Sequence, residues 1–278
     1  MRHVYECPMR WADIDSLAHV NNVVYADYLQ EARVDLLRLH VEQPVDGLVV
    51  AGHQVRYLAP MPFDAAPVVE TWVTEIRSAS FVLGYEVYRE VAGERIVHAR
   101  ASSVLAPFVL ATGRPRRLTP EEKAELAPYL EPAEAPTAEF STAPAAAASY
   151  PLRVRFSDLD PYGHVNNVKH FEYFQEGRLA AVRPALHGIE ARPGLVVAQA
   201  DLVYRRPILF RHEPYQVRTW LTRLGTSSMV VEAEILDGTV QLARARHVMV
   251  FWDLAAGRST VPTEEVRALV TAALSPGC

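Results

Sequence analysis

The sequence predicts an α+β protein built from two tandem copies of one domain, each with an antiparallel sheet and one long helix. Two observations support this prediction. The first is a long internal repeat. The second is the order of elements within each copy, where one helix-spaced segment precedes four segments rich in β-forming residues.

The two copies of the internal repeat are separated by about half the length of the chain. Residues 10–33 and 155–178 are identical at twelve of 24 positions, whereas unrelated segments match at about one or two. The similarity continues where residues 55–60 align with 202–207 and residues 71–74 align with 219–222. A period of this length indicates a duplicated domain rather than a solenoid.

The helix of each copy follows a repeated polar loop. Apolar residues of the first copy recur at helical spacing, namely Tyr25, Tyr28, Leu29, Ala32 and Leu36. We expect helices near residues 22–39 and 167–182, each capped by an asparagine of the preceding Asn-Asn pair, with Pro184 ending the second helix. Gly177 and its counterpart Ala32 predict a small residue where another backbone packs closely.

Four β-rich segments follow the helix in each copy. They span residues 48–58, 67–77, 80–91 and 95–108 in the first copy, and 194–205, 214–224, 226–236 and 239–251 in the second. Ala92-Gly93 and Asp237-Gly238 separate two neighbouring pairs and are typical of hairpin turns. Consecutive strands with short turns favour an antiparallel sheet, and one long helix per sheet favours α+β over βαβ architecture.

The domain boundaries follow from the repeat and from a change in composition. We expect domains at residues 1–130 and 150–278, joined by an Ala/Pro-rich linker at residues 131–149. Residues 132–149 contain eight Ala and three Pro and show no apolar periodicity, so this stretch has little surface to bury. Thr119 and Thr263 precede acidic residues, which predicts a short surface helix near the end of each copy.

Composition excludes several classes of function. The chain of 278 residues carries 28 basic and 33 acidic residues, and no basic stripe indicates nucleic-acid binding. Cys7 and Cys278 lack CxxC spacing, which argues against a disulfide framework or a Cys-rich zinc site. We find neither an apolar signal segment nor a run of about 18 apolar residues. We therefore expect a cytoplasmic protein without membrane insertion.

The densest polar motif lies on the loop before each helix. It reads Asp-x-Asp-x-x-x-His-Val-Asn-Asn and occupies residues 13–22 and 158–167. A helix cap needs one such side chain, so the retention of the whole set in both copies indicates more than capping. Asp13 and Asp158, the first aspartates, are interpreted as structural.

Other reaction chemistries lack their motifs in this sequence. The polar loop supplies neither a closed zinc set nor a calcium-loop pattern. The sequence contains no Gly-rich phosphate loop and no GxSxG elbow. We therefore predict carboxylate chemistry without a metal or another cofactor.

Both loops resemble the signature D-x-D-x-x-G-H-V-N-N-x-x-Y of hotdog-fold thioesterases in the 4-hydroxybenzoyl-CoA thioesterase and acyl-ACP thioesterase group. The second loop is especially similar to the C-terminal repeat of acyl-ACP thioesterases. The resemblance implies that each sheet wraps around its helix and that the two copies pair as an intramolecular pseudo-dimer. It also implies hydrolysis of an acyl thioester of CoA or acyl carrier protein. A homodimer of tandem chains is a further expectation.

The resemblance also implies roles for the motif residues. The second aspartates, Asp15 and Asp160, match the family's nucleophile or general base. A helix N-terminus favours a carboxylate, and its free N–H groups can stabilise an oxyanion. The remaining candidate catalytic groups are the backbone amides of Asn22 and Asn167, which would bind the oxyanion, and the side chains of His19 and His164. The histidines either orient the loop or the substrate, or only pack.

Two departures from the family pattern distinguish this chain. Leu17 and Tyr162 occupy the place where acyl-ACP thioesterases carry an Asn two residues after the catalytic Asp. Ala18 replaces the loop glycine that the second copy keeps as Gly163.

Residues outside the loop are candidates for substrate binding. On the helices, Glu31 and Glu176 are candidates for the pocket entrance, with pairing of Glu31 to Arg10 as the alternative and a structural ion pair expected for Arg33. The candidate phosphate contacts are Arg56, Arg205 and Arg206.

Two alternatives to a hydrolase remain open. A hotdog hydratase or dehydratase carries a D-x-N-P-x-H pattern, with the His five residues after the Asp, whereas here the spacing is four. A non-catalytic module that binds acyl thioesters would use the loop only as a helix cap.

Overall fold

The computed structural model describes residues 1–40, 47–63, 66–109, 112–133, 138–189 and 192–275. The chain divides into two compact units, Met1–Thr137 and Ala138–Cys278. Cys278 lies outside the described residues.

The first unit consists of an antiparallel sheet and one long helix, α1 (Val24–His40). In its described part the sheet has the order β1-β3-β4-β5-β2, and a short strand β6 pairs with β5. A second helix, α2 (Pro120–Leu126), follows the sheet. The strands are β1 (His3–Glu6), β2 (Leu48–Tyr57), β3 (Val68–Ile76), β4 (Phe81–Val91), β5 (Glu94–Val109) and β6 (Arg114–Pro115).

The second unit repeats this arrangement. Its helix α3 (Lys169–Ala185) precedes a sheet of order β7-β9-β10-β11-β8, with β12 paired to β11. The helix α4 (Glu264–Leu274) follows the sheet. The strands are β7 (Ala148–Leu152), β8 (Gly194–Tyr204), β9 (Tyr215–Leu224), β10 (Ser228–Asp237), β11 (Val240–Asp253) and β12 (Arg258–Ser259). The predicted α+β hotdog fold is confirmed, while the pairing of the two copies stays a prediction.

The long helices bury the residues that the periodicity identifies. Leu29 and Ala32 of α1 are fully buried, and Tyr25, Tyr28 and Leu36 are at most 3% exposed. The terminal helices begin as predicted, since the Thr119 and Thr263 hydroxyls accept hydrogen bonds from the third backbone N–H of α2 and α4.

The ends of the long helices differ from prediction. The helices begin at Val24 and Lys169, and Val168 is the N-cap of α3 without a side-chain cap bond. Asn166 instead accepts a hydrogen bond from the Val168 N–H at 3.4 Å, within the turn before the helix. Pro184 does not end α3, which continues to Ala185, because a proline in the last turn removes only one helical hydrogen bond.

The close approach predicted at Gly177 is present. A Cβ at this position would lie 2.6 Å from Cγ1 of Val217 and 3.3 Å from the hydroxyl of Thr219. The neighbours are therefore side chains of β9 rather than another backbone, and they leave no room for a larger residue on α3.

Part of the predicted linker packs on the second sheet. The Ser141 N–H donates to both carboxylate oxygens of Glu232 at 3.1 Å, and Trp220 Nε1 donates to the Ser141 hydroxyl at 3.3 Å. Arg244 donates to the Ser141 carbonyl and forms an ion pair with Glu232 at 2.7 Å. Hydrogen bonding to a buried ion pair thus orders a stretch that has few apolar side chains.

Among the described residues, no helix is long and apolar enough to cross a membrane.

Candidate active site

The first aspartate of each motif joins the loop to the long helix. Asp158 Oδ2 accepts hydrogen bonds from the Arg155 N–H at 2.8 Å and the Tyr173 hydroxyl at 2.6 Å. Asp13 Oδ2 accepts the equivalent bonds from Arg10 and Tyr28, both at 2.8 Å. A carboxylate held in this way has a structural role, as expected from the sequence.

The tyrosines that bind these aspartates act as donors over the whole physiological pH range. Burial, followed by the hydrogen bond to Asp158, raises the pKa of the Tyr173 hydroxyl. Burial and the bond to Asp13 raise the pKa of Tyr28 in the same direction. The loop is therefore fixed to its helix by a neutral donor and a carboxylate in both copies.

The second aspartate of each motif uses one carboxylate oxygen to shape the loop. Asp160 Oδ1 accepts from the backbone N–H groups of Tyr162 at 2.9 Å and His164 at 3.1 Å. Asp15 Oδ1 accepts from Leu17 at 2.8 Å and from His19 at 3.4 Å. Within the described chain, Oδ2 of each aspartate accepts no hydrogen bond, so this oxygen is available for a substrate or a water molecule.

The histidines contact the aspartates through their backbones. The His164 carbonyl accepts from the Asp160 N–H at 2.7 Å, and the His19 carbonyl accepts from the Asp15 N–H at 2.8 Å. In the described residues neither imidazole forms a hydrogen bond with the aspartate. Both side chains are half-buried, so a role in orienting the substrate stays a prediction.

The predicted oxyanion donors lie just before the long helices. The Asn22 carbonyl accepts from the Tyr57 hydroxyl at 2.8 Å, and the Asn167 carbonyl accepts from the Tyr204 hydroxyl at 3.0 Å. The Asn22 N–H has no acceptor among the described residues. The sequence analysis did not identify these two tyrosines, although each begins a repeated Tyr-x-x-Pro segment, at residues 57–60 and 204–207.

The turn residue of the loop has a positive φ in both copies. Ala18 has a φ of 60° and Gly163 has a φ of 77°. This left-handed conformation is accessible to glycine and strained for alanine. The turn residues of the two loops therefore share one backbone conformation, and in the first loop this conformation is strained because the residue is alanine.

Exchanging these turn residues tests that cost. We expect Ala18→Gly to raise the free energy of unfolding by about 0.5–1 kcal/mol, because the strain of the alanine exceeds the extra unfolded-state entropy of glycine. Gly163→Ala should lower it by about 1 kcal/mol through backbone strain alone, since no atom lies within 4 Å of the added Cβ. Urea unfolding measures both changes.

A matched control lies in the same loop. Ala12 is exposed and has a negative φ, so Ala12→Gly should destabilise the protein by about 0.5–1 kcal/mol. An equal loss of stability from Ala18→Gly would contradict the argument.

The two candidate residues of α1, Glu31 and Arg33, lie in different surroundings. Arg33 is buried, and its Nη1 has no hydrogen-bond partner among the described residues. Arg33 forms no ion pair with a described residue, so its structural pair stays a prediction. Its charge acts on the buried Tyr85 hydroxyl, which has no hydrogen-bond partner among the described residues. Glu31 is exposed and forms no ion pair with Arg10 in the described chain. Side chains two residues apart on a helix face different directions, which explains why Glu31 is exposed while Arg33 is buried.

The other candidates for substrate binding lie in different surroundings. Glu176 is exposed on α3 near Leu179 and Arg183. Arg56 lies directly across from Arg100 in the β2–β5 pair and lines a groove on the sheet face opposite α1, because the neighbouring Val55 is fully buried.

Arg205 and Arg206 directly follow Tyr204, whose hydroxyl reaches the Asn167 carbonyl. The side chains of both arginines are exposed, and their backbone N–H groups donate to the Leu242 carbonyl at 2.8 and 3.0 Å. The phosphate contacts of Arg56, Arg205 and Arg206 stay predictions. Among the described residues, no cluster of three or more His, Cys, Asp or Glu residues is arranged to hold a metal ion.

Fold and loop together define a tandem hotdog protein with one polar loop at the start of each long helix. A family model described as the thioesterase-like superfamily matches residues 9–138 and again residues 154–270. The chain belongs to this superfamily and contains two copies of its domain.

Solved structures share the tandem architecture. A protein assigned as an oleoyl thioesterase from Lactobacillus plantarum has a TM-score of 0.75 at 15% identity, covering 91% of this chain and 97% of that one. The 12:0-ACP thioesterase from Umbellularia californica has a TM-score of 0.72 at 17% identity, covering 94% of both chains. An acyl-ACP thioesterase from Bacteroides thetaiotaomicron has a TM-score of 0.66 at 16% identity, covering 89% of this chain and 97% of that one. At these identities the similarity establishes the fold. No curated protein matches the sequence.

Proposed function

We propose that this protein hydrolyses acyl thioesters of CoA or acyl carrier protein to a free acid and a thiol, using Asp15 and Asp160. One observation carries the proposal. In a chain of the thioesterase-like superfamily, each of these carboxylates has one oxygen held by two backbone N–H groups and the other without a hydrogen bond in the described residues. Such a carboxylate is oriented and still able to react.

The arrangement supports two forms of the reaction. As a general base, the free Oδ2 takes a proton from water while the water oxygen attacks the thioester carbonyl. As a nucleophile, Oδ2 attacks the carbonyl and forms an anhydride, which water then hydrolyses. In both forms the C–S bond breaks and the thiolate leaves.

A nearby amide can stabilise the charge that develops on the carbonyl oxygen. The Asn22 N–H has no acceptor in the described chain and precedes α1, so it can donate to the oxyanion together with the field of the helix N-terminus. Tyr57 holds the Asn22 carbonyl at 2.8 Å and orients the same residue from its other side.

Release of free thiol tests this function. We expect the purified chain to release thiol from at least one member of an acyl-CoA and acyl-carrier panel, and a chelator should leave the rate unchanged. Loss of the rate with chelator and recovery with a divalent cation would contradict the proposed chemistry. Hydration of an enoyl thioester without thiol release would instead indicate a hydratase.

Isotope labelling separates the two forms of the reaction. Under single-turnover conditions in ¹⁸O-labelled water, an anhydride hydrolysed at its aspartyl carbonyl passes the aspartate's ¹⁶O to the product and leaves ¹⁸O on the aspartate, so a labelled aspartate identifies a nucleophile. An anhydride hydrolysed at its acyl carbonyl leaves the aspartate unlabelled. A general base leaves the aspartate unlabelled and places the ¹⁸O in the acid. Mass spectrometry of the peptides that contain Asp15 and Asp160 measures this difference.

A further inference from the structure

The core of the first unit contains an arginine without a carboxylate partner. Arg33 of α1 is 6% exposed, and its Nη1 atom has no hydrogen-bond partner among the described residues. In the same part of the chain Arg33 forms no ion pair. An arginine side chain is charged at physiological pH, and an uncompensated charge in a protein core is strongly destabilising. The fold therefore requires negative charge beside Arg33.

The buried acidic side chain of this unit does not provide that charge. Among the described residues of the first unit, Glu86 of β4 is the only acidic residue that is buried. It lies on the opposite sheet face from its neighbour Tyr85, because side chains alternate along a strand. Glu86 forms ion pairs there with Arg95 at 2.7 Å and Arg100 at 2.8 Å. Its charge is thus already compensated by other arginines.

The neighbouring positions of α1 supply no carboxylate either. Residues three or four positions apart share one face of a helix. The residues at these distances from Arg33 are uncharged: Leu29, Gln30, Leu36 and Leu37. Nearby on the same helix, Glu31 is exposed, and Asp35 forms an ion pair with His3 at 2.8 Å. The side chain of Arg33 therefore faces the sheet without an acidic neighbour on its own element.

The polar groups close to Arg33 carry hydroxyl and imidazole functions. Tyr85 is fully buried, its hydroxyl has no hydrogen-bond partner among the described residues, and the charge of Arg33 acts on it. Ser103 is also fully buried and acts on the same hydroxyl, while its Oγ lies 2.7 Å from Nδ1 of His53. We call Arg33 and Tyr85 the donor pair, because each has a hydrogen to donate and no acceptor in the described chain.

The phenol of the donor pair does not supply negative charge itself. Burial raises the pKa of the Tyr85 hydroxyl, and the opposite effects of Arg33 and Ser103 are smaller. Tyr85 therefore stays neutral and keeps its proton. An acceptor for both donors has to be negatively charged and small enough for the interior between α1 and the sheet.

The second unit has the arginine of this pair without the phenol. Arg178 aligns with Arg33, but Ala233 stands at the strand position of Tyr85. The charge of Arg178 acts on the buried imidazole of His247. The combination of a guanidinium and a phenol is therefore a property of the first unit.

We propose that the first unit binds one chloride ion between the Arg33 guanidinium and the Tyr85 hydroxyl. A single spherical anion compensates the charge and accepts a hydrogen bond from each member of the donor pair. A water molecule would accept the same hydrogen bonds and leave the charge of Arg33 uncompensated. Arg33 lies within α1 and not in the loop of Asp15, so this inference does not depend on the proposed thioester hydrolysis.

Thermal unfolding at constant ionic strength tests the chloride site. When chloride replaces gluconate at about 0.1 M, the Tm should rise by at least about 3 °C, because the ion binds only the folded state. Gluconate is too large for a site enclosed by α1 and the sheet. Arg33→Leu should abolish this rise, and Tyr85→Phe, which keeps the ring, should reduce it by at least about half. A wild-type Tm that is the same in both salts would overturn the proposal.

An exposed arginine of the same unit provides the matched control. Arg114 of β6 is exposed and forms no ion pair with a described residue. Arg114→Leu removes the same charge and should keep the full chloride-dependent rise in Tm. If this control loses the rise as Arg33→Leu does, chloride acts through the net charge of the protein, and the buried site is refuted.

Diffraction from crystals grown in bromide locates the ion in the wild-type protein, so this measurement does not require Arg33→Leu to fold. Bromide replaces chloride and gives an anomalous signal. We expect one buried peak per chain, within hydrogen-bond distance of Nη1 of Arg33 and the hydroxyl of Tyr85. Bromide peaks at the protein surface alone would contradict the proposal, whatever the effect of chloride on the Tm.

Discussion

The double variant Asp15→Asn/Asp160→Asn is expected to lose thioester hydrolysis by at least about 100-fold, since an amide is neither a base nor a nucleophile at this position. Folding should be unaffected. The side-chain oxygen of Asn can still accept the two backbone hydrogen bonds that Oδ1 of Asp160 accepts at 2.9 and 3.1 Å. Steady-state thiol release measures the activity, and thermal unfolding measures the fold.

The single variants are expected to differ. Asp160→Asn should remove at least half of the turnover, because the turn residue of the second loop is Gly163, which holds its φ of 77° without strain. Asp15→Asn should cost less, because Ala18 holds the first loop in a strained conformation at a φ of 60°. A larger loss from Asp15→Asn would reverse this ranking. Full activity of the double variant would remove both aspartates from the mechanism.

The second large effect is expected in acid stability and comes from His170. Burial lowers the pKa of this imidazole to about 4 from an ordinary value of 6.5. Between these two pH values the unfolded chain binds a proton that the folded chain does not bind. Stability therefore falls as the pH decreases from 6.5 towards 4, by up to about 3 kcal/mol.

The equivalent position of the first copy shows which substitution of His170 should remove the pH dependence of stability. His170 packs edge to face on Tyr204 at 4.8 Å, and its counterpart Tyr25 packs on Tyr57 at 5.2 Å in the same geometry. His170→Tyr should therefore flatten the pH dependence of unfolding between pH 6.5 and 4, because a tyrosine stays neutral there. Urea unfolding at several pH values measures how the free energy of unfolding changes with pH. A change in packing energy that is the same at every pH does not affect this slope.

The reciprocal variant Tyr25→His serves as the control. It should introduce the same acid sensitivity into the first unit. His247 is also buried, and burial followed by the charge of Arg178 lowers its pKa, so part of the pH dependence persists in every variant. An unchanged slope in His170→Tyr would show that His170 is not the source of the acid sensitivity.

The sequence by itself determined the duplication, the fold class and the positions of most elements. The predicted strand at residues 48–58 is observed as Leu48–Tyr57, and the predicted helix near residues 167–182 is observed as Lys169–Ala185. These features depend on local periodicity and turn residues, which neighbouring positions in the chain define. The motif similarly marked Asp13 and Asp158 as structural, because local capping bonds follow from loop chemistry.

Only the tertiary structure decided which partners the polar side chains find. The sequence indicated a structural role for Arg33, but only the fold shows that this residue is buried beside Tyr85 of β4. Sequence spacing also could not show that the hydroxyl of Tyr204, at the end of β8, donates a hydrogen bond to the Asn167 carbonyl, 37 residues away. Such contacts join segments that are distant in the chain. Their geometry follows from the register and packing of the sheet around the helix, and a one-residue shift in strand register would turn the side chains of Tyr85 and Tyr204 to the opposite face.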